Sequence, residues 1–207
     1  MFQINRLHAL LVVLAGLALV TPRARAQTES SSKPAWEVEV RKELPEHDPP
    51  FYRAYVVAGT NKFAMLLPLG YFFQGKDEGL LRLATAGSGS QITFAVRPPT
   101  DPHYADKDAI REYVLAGRPG AKITSEFSTG VGQWTGQGYD LTWKPAGGSA
   151  LAGRVVVVTF EGGFLEYTGS TTPANFPAVQ TAMDRFQRSL IVGKDGKLVV
   201  PHLSGRL

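Results

Sequence analysis

The chain has 207 residues, with 22 Lys and Arg against 18 Asp and Glu, 22 Gly, 14 Pro and no Cys; 43% of it is hydrophobic and 19% charged. This composition excludes a disordered tail, a collagen-like repeat, a disulfide-stapled scaffold and any zinc or iron–sulfur site built on Cys. A thiol nucleophile is excluded with them.

Residues 1–26 read as a secretory signal peptide: Arg6 supplies the positive start, Ala9 to Val20 is an unbroken apolar run, and Ala24-Arg25-Ala26 offers a cleavage site before Gln27. As a helix the run spans roughly 18 Å, short of the ~30 Å hydrocarbon core, so no stable membrane span is expected after cleavage. The lack of an Arg-Arg pair favours general export to the periplasm or exterior. Loss of Arg6, Arg23 and Arg25 takes the basic residues from 22 to 19 against 18 acids, and no clustered basic stripe remains. Nucleic-acid binding is therefore not expected. Residues 27–35, polar and small, make a flexible leader. Residues 36–207 are enough for one domain with a core that needs no staples.

The domain opens on Trp36, Val38 and Val40 alternating with Glu37, Glu39 and Arg41, the pattern of a strand with one buried face. Pro45, Pro49 and Pro50 interrupt regular structure after it. Alternation returns at Phe63, Met65 and Leu67, at Leu81 and Leu83, at Ile92, Phe94 and Val96, and at Ile123, Ser125 and Phe127. Strands with a polar outer face belong to antiparallel sheets. Three more strands follow: one through Tyr139, Leu141 and Trp143, one over Val155 to Phe160, and one over Phe164 to Tyr167 after a Glu161-Gly162-Gly163 turn. Ser189 to Val192 and Leu198 to Val200 flank a last turn at Gly193-Lys194-Asp195-Gly196.

Two segments have helical spacing. Asp106 caps one that carries Ile110, Tyr113 and Val114 and stops at Gly117, with Pro119 beyond. Asn175 caps the other, whose stripe is Val179, Ala182, Met183, Phe186 and Leu190, with Pro177 in the first turn. One apolar stripe each lays these helices on a sheet. The fold class expected is α+β: a mainly antiparallel sheet with two packed helices.

No chemical motif converges. Gly70 to Lys76 matches the spacing of a phosphate loop, but Asp77 stands where a hydroxyl would bind magnesium, so the segment reads as a turn between strands. Asp101, His103, Asp106 and Asp108 are metal-ligand types crowded together, yet Asp is also what a helix start requires, and that reading is preferred. Glu46-His47-Asp48 reads as solvated surface, and His47, His103 and His202 form no spaced pair. Glu126, Asp140, Glu161 and Glu166, the acids available for a carboxylate-dependent hydrolase, are placed in water by default on outward strand positions. No catalytic residue, metal or cofactor is expected.

Gly130-Val131-Gly132-Gln133-Trp134-Thr135-Gly136-Gln137-Gly138-Tyr139 stands out for its glycines around a Trp. If Tyr139, Leu141 and Trp143 face the core, an unbulged strand turns Trp134 the other way, which makes Trp134 and Gln137 the candidate surface for a partner or apolar ligand. A β-bulge at a glycine would instead return Trp134 to the core.

The element order, the Leu67-Pro68-Leu69-Gly70-Tyr71 turn and the Phe186 to Ile191 ending together resemble the PsbP-like α/β/α sandwich, including the exported DcrB-like proteins. The resemblance runs from Phe51 to Val192. It implies a non-catalytic accessory protein of the periplasm or cell envelope that acts through protein–protein contacts with another envelope protein. The alternatives are a small-molecule or lipid carrier with an apolar ligand between helix and sheet, and a hydrolase.

Overall fold

The structure, a computed structural model, describes residues 36–44, 50–77, 79–87, 89–193 and 197–199. The segments read as a secretory signal and a leader, Glu46-His47-Asp48, residues 194–196 of the expected last turn, Val200 and His202 lie outside them. In chain order the elements are β1 (Trp36–Glu43), β2 (Phe51–Ala58), β3 (Asn61–Leu66), β4 (Tyr71–Asp77), β5 (Leu80–Thr85), β6 (Gln91–Arg97), α1 (Lys107–Ala116), β7 (Lys122–Val131), β8 (Trp134–Trp143), β9 (Leu151–Phe160), β10 (Gly163–Thr171), α2 (Phe176–Ser189) and β11 (Ile191–Val192). Short 3-10 turns at Pro102–Tyr104 and Pro173–Asn175 lead towards the helices.

These strands form a four-stranded sheet, β1-β2-β3-β11, and a seven-stranded sheet, β4-β5-β6-β10-β9-β8-β7. Every pairing is antiparallel. The fold is the α+β sandwich with two packed helices that the alternation predicts.

One face of the large sheet, here the inner face, carries the main core with the small sheet and α2. Phe63, Phe94, Phe160, Tyr167 and Phe186 meet there with ring centroids 5.5 to 6.1 Å apart, mostly edge-on, the favoured geometry for aromatic pairs. Val179, Ala182, Met183 and Phe186 are the buried stripe of α2. The outer face is covered over β8 and β9 by α1, where Ile110, Val114, Tyr139, Leu141, Val155 and Val157 form a second core with Tyr104 and Phe164. Strand β9 is therefore covered on both faces, which is why Val155 to Val158 is a continuous apolar run.

Ser189 splices α2 into the small sheet. Its hydroxyl donates to the Phe186 carbonyl at 2.8 Å and accepts the Leu66 N–H at 2.9 Å, after which Ile191 and Val192 pair with β3. Asp106 caps α1 as its sequence position requires, accepting the Ala109 N–H at 2.8 Å.

Other expectations are corrected. Asn175 makes no side-chain cap on α2: a 3-10 turn precedes it and its backbone is already helical, whereas a side-chain cap needs an extended residue. The segment read as a turn at 70–77 is strand β4; the turn is confined to residues 67–70, and a register shift between Phe73 and Gly75 interrupts the alternation. Strand β2 was not legible. Ile123 and Phe127 do not share a face, because a bulge between Ile123 and Ser125 sends Ile123 to the outer core and Phe127 to the inner one. Leu198 and Val199 form no strand: the adjacent edge of β3 is taken by Ile191 and Val192, and Val199 is left exposed.

Candidate functional site

The outer face of β10 carries Glu166, Thr168 and Ser170 at alternate positions, beside the end of α1. Glu166 is 8% exposed. Its Oε2 accepts the Tyr104 hydroxyl at 2.7 Å and the Arg97 Nε–H at 2.9 Å. The 3-10 turn at Pro102–Tyr104 delivers Tyr104, whose ring stacks on Phe164 with centroids 5.2 Å apart and lies against Tyr113 at 5.3 Å. Burial, reinforced by the Glu166 charge, drives Tyr104 far above the ordinary tyrosine range. Burial works against the charge of Arg97, but Glu166 outweighs it and the guanidinium is held all the more firmly protonated.

Next to this cluster is a cleft of about 390 Å³ lined by Tyr113, Gly117, Arg118, Trp143, Thr168 and Ser170. Its floor is set by a glycine. A Cβ on Gly153 would stand 2.6 Å from the Gly169 carbonyl oxygen and 3.0 Å from the Trp143 ring, so the glycine leaves room for both the strand neighbour and the indole that lies over it. The Arg118 guanidinium sits 5.7 Å from the centroid of that indole, a cation–π contact. One Nη1–H donates to the Val114 carbonyl at 2.9 Å, closing the last turn of α1. Burial lowers the pKa of Arg118 from the ordinary arginine value, and the Glu166 charge offsets part of that. Sequence reasoning missed this cleft; the available signal was an Arg in Gly117-Arg118-Pro119-Gly120, just where a helix stops.

The predicted candidates do not converge. Strand β8 is unbulged along its pairing with β9, so Trp134 does turn away from Tyr139, and its half-buried ring meets Phe160 edge-on at 6.4 Å. Gln137 shares the parity of Tyr139 and lies on the other face. Asp140 and Glu166 correct the expectation of solvated acids: they are 6% and 8% exposed, on opposite faces of the large sheet. Asp140 is held by Arg154 at 2.7 and 3.0 Å and by Gln180 at 2.8 Å. Of the crowded Asp101 to Asp108 residues, Asp101 accepts the His103 N–H at 3.1 Å and Asp106 caps α1. Among the described residues no group of three or more His, Cys, Asp or Glu side chains is placed to hold a metal ion. Nor is any described helix long and apolar enough to cross a membrane.

Comparison with protein-family models gives no match, and neither does comparison with curated proteins. Among solved structures, the chain is similar to LpqN of Mycobacterium tuberculosis, described as involved in cell envelope biogenesis, with 10% identity over 75% of this chain and 91% of that one and a TM-score of 0.52. A Pseudomonas aeruginosa protein of unknown function aligns at 17% identity over 80% of this chain and 99% of that one, with a TM-score of 0.44. The cyanobacterial PsbP of Synechocystis aligns at 11% over 74% and 92%, with a TM-score of 0.42. At 10% identity the likeness to LpqN is one of fold, and this chain shares with it an α+β sandwich over 75% of its length.

Proposed function

We propose that the protein is exported to the periplasm or cell envelope and acts there as a non-catalytic accessory protein that binds another envelope component. The observation that carries the binding reading is the cleft beside α1. It is walled by aromatic rings and held in shape by the Arg118 contacts to Val114 and Trp143, and it is open to a partner. The two buried acids give no support to hydrolysis, since each is locked to an arginine on its own face of the sheet. A carrier with its cargo between helix and sheet is disfavoured: Phe94, Phe186, Tyr167 and Met183 fill that space, each no more than 3% exposed. The signal-like segment and the fold shared with an envelope-biogenesis protein support the compartment.

The test is fractionation of the native host followed by photo-crosslinking from residues that line the cleft, such as Tyr113 and Gly117. The expected result is one crosslinked envelope partner, recovered from the exported fraction and lost when the crosslinker is moved to the opposite face at Arg188. Recovery of the chain in the cytosol, or uncrosslinked from every position, would overturn the reading.

A further inference from the structure

We propose that the cleft beside α1 is a carboxylate-binding site, in which Arg118 receives the carboxylate as a two-pronged pair and the hydroxyls of Thr168 and Ser170 hold its oxygen or an adjacent polar group. This rests on the binding reading above and gives it a ligand chemistry.

Three observations carry it. First, Arg118 is cationic, half-buried and without an ion pair among the described residues. Of its five N–H donors, one Nη1–H is given to Val114. The Nε and Nη2 donors have no partner among the described residues, and that edge of a guanidinium is the one that matches a carboxylate. Glu166 does not fill the role: its charge reaches Arg118, but the two form no hydrogen bond or ion pair, and its Oε2 accepts from Arg97 and Tyr104. Second, the guanidinium is pre-positioned by the Val114 carbonyl and by Trp143, itself seated over Gly153. A ligand therefore meets a donor edge with little side-chain freedom left to lose. Third, the hydroxyls of Thr168 and Ser170 line the same cleft and form no hydrogen bond with any described residue.

The charge balance selects a monoanion. One arginine of this neighbourhood, Arg97, is neutralised by Glu166, and Arg118 is the surplus cation. A dianionic phosphate would leave one charge uncompensated in a half-buried place. The volume of about 390 Å³ falls within the range of about 300–1,000 Å³ usual for small-ligand pockets. It suits a small organic acid or the last residue or two of a polypeptide. Arginine, hydroxyl and carboxylate chemistry is the same for both.

The experiment is titration of the protein, as matured by its host, with benzoate, with a tetrapeptide bearing a free C-terminus and with the same peptide amidated, observed by NMR of the arginine Nε–H groups and by calorimetry. The Arg118 resonance should shift with a free carboxylate and not with the amide. Arg118→Lys keeps the charge and the reach to Val114 but loses the fork, so binding should weaken about tenfold, as expected for a charge-assisted pair. Thr168→Val and Ser170→Ala, which leave the α1 terminus untouched, should each weaken binding severalfold. Benzoate binding as tightly as the peptide assigns the site to a free acid; binding of the free peptide alone assigns it to a chain terminus. Equal binding of the amidated peptide, binding indifferent to Arg118→Lys, or no Arg118 shift with any probe would overturn the proposal. Any of these would leave a crosslinked envelope partner standing, so the two readings fail separately.

Discussion

The Tyr104 hydroxyl donates to Glu166 Oε2 at 2.7 Å, joining the 3-10 turn before α1 to the middle of β10 through the outer core. Tyr104 is 3% exposed and Glu166 8%, so neither group has ready access to water to replace the other. Tyr104→Phe should destabilise the fold by about 2 kcal/mol, as for a hydrogen bond to a buried charge. Glu166→Gln keeps an acceptor for Tyr104 but strands Arg97, whose side chain is 35% exposed and partly rescued by solvent. Its effect should be no greater, again about 1–2 kcal/mol. Urea unfolding measures both; an unchanged midpoint for Tyr104→Phe would mean the bond is not formed in solution.

The tyrosines make the fold sensitive to alkali. Tyr55, Tyr71, Tyr104, Tyr139 and Tyr167 all have raised pKa values, with burial the largest cause in each. In the unfolded chain these phenols titrate near about 10. Above that pH the folded chain therefore holds more protons than the unfolded one, and stability falls as pH rises. The contribution is complete below pH of about 10 and drains away above it. Absorbance at the tyrosinate band, followed with circular dichroism, should show Tyr104 and Tyr167 ionising only together with loss of structure. Ionisation of all seven tyrosines near the ordinary value with the dichroism intact would contradict it.

How much of this was written in the sequence differs from element to element. The α1 start was legible because Asp106 does locally what the residue type suggests, and the β9–β10 hairpin because Gly163 takes a φ of +129° that favours glycine. Strand β2 was hidden by Arg53, which is 2% exposed at a position where alternation alone would never place a charge. Its guanidinium pairs with Glu43 on the neighbouring strand at 2.7 and 3.2 Å, a partner that only the sheet pairing reveals. The parity rule oriented Trp134 correctly but could not say that the far face is also walled by the protein, here by Phe160. The cleft was invisible for the same reason: Arg118, Trp143, Gly153 and Ser170 come from four separate stretches of chain and meet only after the sheet has formed.

Asp140 and Arg154 predict how firmly α2 is fastened. Asp140 lies on β8 and Arg154 directly opposite on β9, and α2 contributes Gln180 to Asp140 at 2.8 Å and Asp184 to Arg154 at 2.8 Å. Arg154 also covers the Phe127 ring at 4.6 Å. Removing it by Arg154→Ala leaves a buried carboxylate with only Gln180, which should lower stability by about 3 kcal/mol. Gln180→Ala removes one bond and should lower it by about 1–2 kcal/mol. Because both act on Asp140, their effects should fall short of additivity or exceed it by more than about 0.5 kcal/mol in a double-mutant cycle. Strict additivity would show that the network is not shared.

Gly169 sets how closely α2 approaches β10. A Cβ there would run into Met183 Sδ and stand 2.6 Å from Val179 Cγ1, on the buried stripe of the helix. Met183 is an unbranched chain that can swing aside, whereas Val179 is fixed at χ1 by the helix, so the methionine must yield and the valine resists. Gly169→Ala should therefore destabilise by about 1–3 kcal/mol through overpacking. Adding Val179→Ala to that variant should recover part of the loss, even though Val179→Ala alone, at a fully buried site, should destabilise by about 2 kcal/mol. The sign reversal is the diagnostic: thermal unfolding of the four proteins in the cycle should show Val179→Ala harmful beside glycine and helpful beside alanine. If the valine substitution is equally harmful in both backgrounds, the helix is not seated on that glycine.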